Sequence, residues 1–210
     1  MELNDLKIKL INDIKQNLHN LKQLVECSIS NYKVTALDIG PGDAPVAGAD
    51  TIDYRAWPYG VTFQHDVRKT PWPIDTNQYD LIYSSHCFEH LDRFEIHRAL
   101  SEVHRIGKAG GICILIMPHF SGPGAWNTLG HVRPFGTSTL NDYIVENAEV
   151  SFHKEAIFLR WRPLFKHPFI KTFNRPISWA ANLNPHMCEQ LWCNFVNGMN
   201  DIVYVFTIVK

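Results

Sequence analysis

Three apolar runs constrain this chain most. "KVTALDIG" (33–40), "YDLIYSS" (79–85) and "GICILIMP" (111–118) have very few polar positions. A strand with one face in water alternates apolar and polar residues. Runs this continuous must be covered on both faces, as strands are inside a parallel sheet flanked by helices. "DTIDY" (50–54) and "VTFQHD" (61–66) read as shorter strands, with "EAIFLRWR" (155–162) and "DIVYVFTIVK" (201–210) as later ones. The turn-rich "TPWPIDTNQ" (70–78) separates "VTFQHD", the third strand, from "YDLIYSS", the fourth. The expected architecture is an α/β, doubly wound sheet.

Helical periodicity appears in two places. Leu3, Leu6, Leu10, Ile14, Leu18, Leu21 and Val25 recur at steps of three and four, which predicts one amphipathic helix over 3–26. That stripe would pack on the main domain or serve as a homodimer seam. "LDRFEIHRALSEVHRIG" (91–107) predicts a second helix, with Asp92 as N-cap and Phe94, Leu100 and Val103 on or near one face. Gly107 and the following "KAGG" read as its stop and turn. Residues 119–150 are loop-rich, with a helix predicted around "TSTLNDYIVEN" (137–147). Residues 163–200 carry Phe165, Phe169, Phe173, Trp179 and Trp192 with little periodicity, which reads as a small satellite core or as an acceptor lid. The division is a helix over 1–30, a binding core over 31–120, and substrate-side loops, a lobe and the last strands over 121–210.

Composition narrows the function classes. A net charge of −1 gives no support to nucleic-acid binding. The longest apolar run, "ICILIMP", is far shorter than the ~20 residues of a membrane span. "MELNDLKIKL" has no signal-peptide apolar region. Five scattered cysteines, with Cys188 and Cys193 nearest, lack a second pair at zinc spacing. They read as reduced thiols of a cytoplasmic protein.

The turn after the first strand carries the chemistry. Asp38, Gly40 and Gly42 form an acid-and-glycine turn through which backbone can approach a ligand. A dinucleotide motif would place a third glycine where Pro45 stands and an acid ~20 residues on; Asp53 comes too early. No useful helix fits between Gly42 and Thr51, so a pyrophosphate would lack its helix N-terminus. A phosphate-free nucleoside suits the turn better. Asp53, ending the second strand, can accept bonds from both ribose hydroxyls. Asp66, ending the third, can accept from an adenine amino group, and Asp38 can hold an ammonium. Together these describe S-adenosylmethionine (SAM), against the plain alternative of three ordinary turn aspartates.

"ALDIGPGDAPVAGADTIDY", "FQHDVRKTPWPIDTNQYDLIYSSHCFEHL" and "LSEVHRIGKAGGICILIMP" resemble the successive motifs of class I SAM-dependent methyltransferases of the type 11 kind. The likeness is greatest to small bacterial enzymes associated with polysaccharide and surface-glycan biosynthesis. It extends over about 33–140 and, more weakly, through "NPHMCEQLWCNFVNGMNDIVYVF". The resemblance implies a Rossmann-like, mostly parallel seven-stranded sheet with a truncated first crossover helix, an N-terminal helix and a C-terminal substrate lobe. It implies that Asp38, Gly40, Gly42, Asp53, Tyr54, Asp66, Val67, Ser84 and Ser85 surround the cofactor. The chain departs from the pattern at Pro41, where many relatives have cysteine, and at Ala109, where proline is usual.

Methyl transfer from a sulfonium is an in-line displacement, so alignment carries most of the catalysis. A hydroxyl acceptor also needs a base, for which histidine is suited. His86 follows the fourth strand, His119 the fifth, and His131 lies in "GHVRPF"; these three are the candidate bases. His90 is placed on the substrate side or as a local capping residue, with Trp126 and Arg133 as further substrate contacts. No metal is expected, although His86 and His90 stand four apart with Glu89 between them. The expected reaction is O- or N-methylation of a small molecule or glycan precursor. The alternatives are a SAM-binding protein that supports a partner and a nucleic-acid methyltransferase; "SSHC" stands where the latter would show "NPPY".

Overall fold

The computed structural model describes residues 3–141, 150–162, 172–194 and 198–210. Seven strands form one sheet in the order β3-β2-β1-β4-β5-β7-β6. They are β1 (Ala36–Ile39), β2 (Asp50–Asp53), β3 (Phe63–Gln64), β4 (Tyr79–Ser85), β5 (Gly107–Pro118), β6 (Ser151–Arg160) and β7 (Asp201–Val209). β7 runs antiparallel between β5 and β6, while the β3-β2-β1-β4-β5 ladders are parallel. The order reverses between β1 and β4, the switch point where such sheets bind ligands.

Each face of the sheet has its own cover, which is why its strands are apolar throughout. Leu81, Tyr83, Ile112, Ile114, Ile116, Val203 and Val205 point to the N-terminal helices. Leu37, Ile39, Ile82, Cys113, Leu115 and Tyr204 point to α3 (Arg93–Ile106) and the C-terminal lobe. α3 opens with a capping box: Asp92 accepts from the Glu95 N–H at 2.8 Å, and Glu95 accepts from the Asp92 N–H at 2.8 Å. Its buried stripe is Ile96, Ala99, Leu100, Val103 and Ile106, and Phe94 is 70% exposed instead of sharing that face.

The predicted single N-terminal helix is broken into α1 (Leu3–Asn17), a 3-10 turn (Leu18–Asn20) and α2 (Leu21–Tyr32). The break re-aims the apolar stripe, so that Leu6, Leu10, Ile14, Leu18, Leu21 and Val25 all reach the chain's own sheet. The stripe proposed as a dimer seam is therefore buried within one chain. Between β1 and β2 lie only turns, as the short glycine-to-acid spacing predicts. α2 covers that gap: Lys22 donates to the Ala44 carbonyl at 3.0 Å and Glu26 accepts from the Ala47 N–H at 3.1 Å.

"KAGG" is not a separate turn. Gly107 ends α3 and starts β5, and the register then jumps from Tyr79/Gly107 to Leu81/Ile112 around a bulge with Gly110 at φ +77°. The helix predicted around 137–147 lies largely outside the described residues, as do Phe165 and Phe169. α4 spans Asn174–Ala181, and after a turn at 182–184 a short helix at Pro185–Met187 runs into a π-helical stretch at Cys188–Cys193. This segment buries Ser178, Ala181, Glu189 and Cys193, whereas Phe173, Trp179 and Trp192 are exposed, unlike a satellite core. No helix among the described residues is long and apolar enough to cross a membrane. All five cysteines are unpaired.

Candidate active site

At the carboxyl ends of β1, β2 and β4 lies a cleft of about 510 Å³. Gly40, Gly42, Asp53, Tyr54, Asp66, Val67, His86 and His90, all singled out in the sequence, line it. So do Ile52, Arg55, Trp57, Arg68, Cys87, Leu91 and Gly130, which sequence reading missed. A larger groove of about 630 Å³ between α1 and α4 lies away from the glycine turn.

The glycine turn is shaped for close approach. Gly40 has φ +64°, and a Cβ there would sit 2.6 Å from the Cys87 sulfur. Gly42 has φ +59° with open space where a side chain would project. Tyr59 donates its hydroxyl to the Gly42 carbonyl at 2.9 Å and ties the turn to the segment after β2. Asp53 accepts the Arg55 N–H on Oδ1 at 2.9 Å. The Arg55 guanidinium lies 5.2 Å from the Tyr54 ring centroid and 5.9 Å from that of Trp57. Asp66 is held by Arg68 at 2.9 and 2.8 Å, and this side-chain pairing keeps its carboxyl below the usual carboxylate range.

Asp38 and the two serines lie elsewhere. Along β1, Leu37 and Ile39 face α3, so the pleat turns Asp38 toward α2. There it accepts the Val46 N–H at 2.8 Å and holds the short β1–β2 loop. Ser85 lines the same opposite face, and Ser84 donates to the Ile39 carbonyl at 2.9 Å, bridging β4 to β1. Burial pushes the Asp38 carboxyl from 3.8 up to about 7, against the Val46 N–H bond and nearby Lys22. Between about 4 and 7 the folded chain keeps a proton that the unfolded chain has released, so stability is full at low pH and falls as pH rises through about 7. Asp38→Asn keeps an oxygen for Val46 and removes this titration. Thermal melts across that window are expected to show the wild type losing stability relative to the variant. Parallel melting curves would assign the pH dependence to another group.

The histidines divide. His86 sits at φ +58°, a conformation rare for non-glycine residues, with its N–H on the Ile116 carbonyl at 2.9 Å. Its Nδ1 is 3.1 Å from Glu89 Oε1 and its Nε2 is 3.5 Å from Asp201 Oδ1. Both carboxylates are buried, and Arg160 and Arg162 hold Asp201 from behind at 2.9 and 2.8 Å. His131 approaches the same Glu89 oxygen at 4.0 Å, and its ring meets that of His90 edge-on at 4.9 Å. His119 is fully buried instead. Its Nδ1 pairs with Ser121 at 2.8 Å and its Nε2 with Glu189 at 3.1 Å, beneath the 119–137 loop. Trp126 is exposed and donates to the Phe120 carbonyl, and Arg133 is half-buried on the loop beyond His131; neither lines the cleft.

Cleft and residues fit a nucleoside with a charged amino-acid tail. The volume is that of a small-molecule site. The lining pairs a carboxylate with a bare glycine turn and offers aromatic faces beside it. No curated protein matches the chain. Residues 17–115 match a family model described as a methyltransferase domain. Among solved structures the chain is similar to a SAM dependent methyltransferase from Archaeoglobus fulgidus, with 15% identity and TM-score 0.56 over 89% of this chain and 94% of that one. It is also similar to an S-adenosylmethionine dependent methyltransferase from Mesorhizobium loti, with 15% identity and TM-score 0.50 over 83% and 90% of the two chains. At these identities the likenesses establish the fold, that of the class I methyltransferases. The domain match covers just under half of the chain, and the fold is the one on which SAM-dependent methyltransferases are built.

Proposed function

We propose that the chain is a SAM-dependent enzyme that methylates an oxygen or nitrogen of a small molecule or glycan precursor at the His86 edge of the cleft. The observation that carries this reading is His86 itself: a histidine with positive φ on the wall of the cofactor cleft, backed by two buried carboxylates. Backbone held in such a conformation is a mark of functional positions.

Bound SAM supplies an electrophilic methyl on a positively charged sulfur. Gly40 and Gly42 would admit its amino-acid portion, Asp53 would accept from the ribose hydroxyls, and Asp66 with the Val67 backbone would face the adenine. Tyr54 and Trp57 would offer ring faces to the base. At the acceptor, His86 takes the proton released as the nucleophile attacks, and Glu89 and Asp201 stabilise the resulting imidazolium. The net charge of −1 favours a small acceptor over a nucleic acid.

Calorimetry with SAM and S-adenosylhomocysteine tests the cofactor half of this reading. Binding of both at one site per chain is expected. Failure of both to bind would sink it.

A further inference from the structure

Glu89, His90 and His131 each offer a ligand atom, and these three atoms lie within 4.8 Å of one another at the edge of the cleft. We propose that they form a binding site for a divalent first-row transition ion such as zinc or ferrous iron. The ion's remaining coordination positions would face an acceptor that carries hydroxyl or carboxylate oxygens. This deepens the methyl-transfer reading and rests on it for the identity of the cleft.

The geometry is built rather than accidental. Glu89 and His90 belong to the 3-10 turn Phe88–His90, and His131 arrives from the loop that crosses it. Two hydrogen bonds lock loop to turn: the Val132 N–H donates to the Glu89 carbonyl at 2.7 Å, and His90 Nδ1 pairs with the Gly130 carbonyl at 2.9 Å. A carbonyl only accepts, so the His90 proton sits on Nδ1 and the Nε2 lone pair is left for a ligand. Histidines that bind metals are oriented in this way.

The second observation is an unmet demand. Glu89 is fully buried, and while its Oε1 meets His86, its Oε2 has no hydrogen-bond partner. The buried Nδ1 of His131 also has none. A purely structural network would satisfy such atoms, because a buried unpaired carboxylate oxygen is costly. Two imidazoles and one carboxylate are the donors that favour zinc or iron over magnesium or calcium. Metal–ligand bonds of about 2.0–2.2 Å require the three atoms to draw together by roughly an ångström.

The test uses the full-length protein, stripped with a chelator and titrated with cobalt(II), whose visible absorption reports ligation. One equivalent is expected to bind. Glu89→Gln, His90→Ala and His131→Ala are each expected to weaken that binding by about 100-fold or more. His90 is exposed, so its variant keeps the test valid if a Glu89 variant fails to fold. SAM calorimetry on the same samples separates the two claims. Cobalt binding without SAM binding leaves the metal site standing and removes the methyl-transfer reading. SAM binding with no cobalt spectrum, or cobalt binding unchanged in the His90 and His131 variants, overturns the site.

Discussion

His86→Asn is expected to lower turnover by roughly 10²–10⁴-fold, the range of a positioned proton acceptor, while SAM affinity stays within a few-fold. Asparagine is the substitution of choice because position 86 sits at φ +58°, which asparagine tolerates better than alanine. The fold and the His86 N–H bond to Ile116 should therefore survive. What is lost is a ring whose two nitrogens lie 3.1 and 3.5 Å from Glu89 and Asp201. The measurement is incorporation of labelled methyl from SAM into a pooled extract of metabolites and sugars. Wild-type incorporation by the variant would remove His86 from the chemistry. His119→Ala makes the contrast. Its buried ring bridges Ser121 and Glu189, so the expected loss is of melting temperature.

Asp53→Ala is expected to weaken SAM binding by about 100-fold or more, at ~1.5 kcal/mol for each charge-assisted hydrogen bond to a ribose hydroxyl. The side chain is 7% exposed, ends β2 on the cleft wall, and has one oxygen on the Arg55 N–H. Asp53→Asn should fall between the two, because it keeps an accepting oxygen without the charge. Calorimetry decides: affinity within threefold of wild type for the alanine variant would place the ribose elsewhere in the cleft.

The legible parts of the site were those fixed by local backbone demands. Gly40 and Gly42 stand at positive φ, and their spacing to Asp53 left no length for a helix. Asp53 closes β2 and Asp66 comes two residues after β3, so both acids mark strand ends. Strand parity decided the cases that sequence could not. Asp38 sits next to the glycine turn in sequence, yet the pleat turns it to α2, where it organises the loop backbone. His119 follows β5 as closely as His86 follows β4, but a neighbour seventy residues on, Glu189, closes over it. The broken N-terminal helix has a similar origin. One continuous periodic stripe fits one straight helix, but here the stripe reaches the sheet as two helices joined by a 3-10 turn.

By itself, the sequence determined the seven strands, the absence of a first crossover helix and the glycine turn that lines the cleft. These follow from short-range rules, in which a run of apolar residues needs two covers and a tight turn needs glycine. Only the tertiary structure decided which histidines share a wall. His86 meets Asp201, and Glu89 meets His131, across separations of 115 and 42 residues. Hydrogen bonds between loop and turn set those encounters, and no periodicity in the chain encodes them.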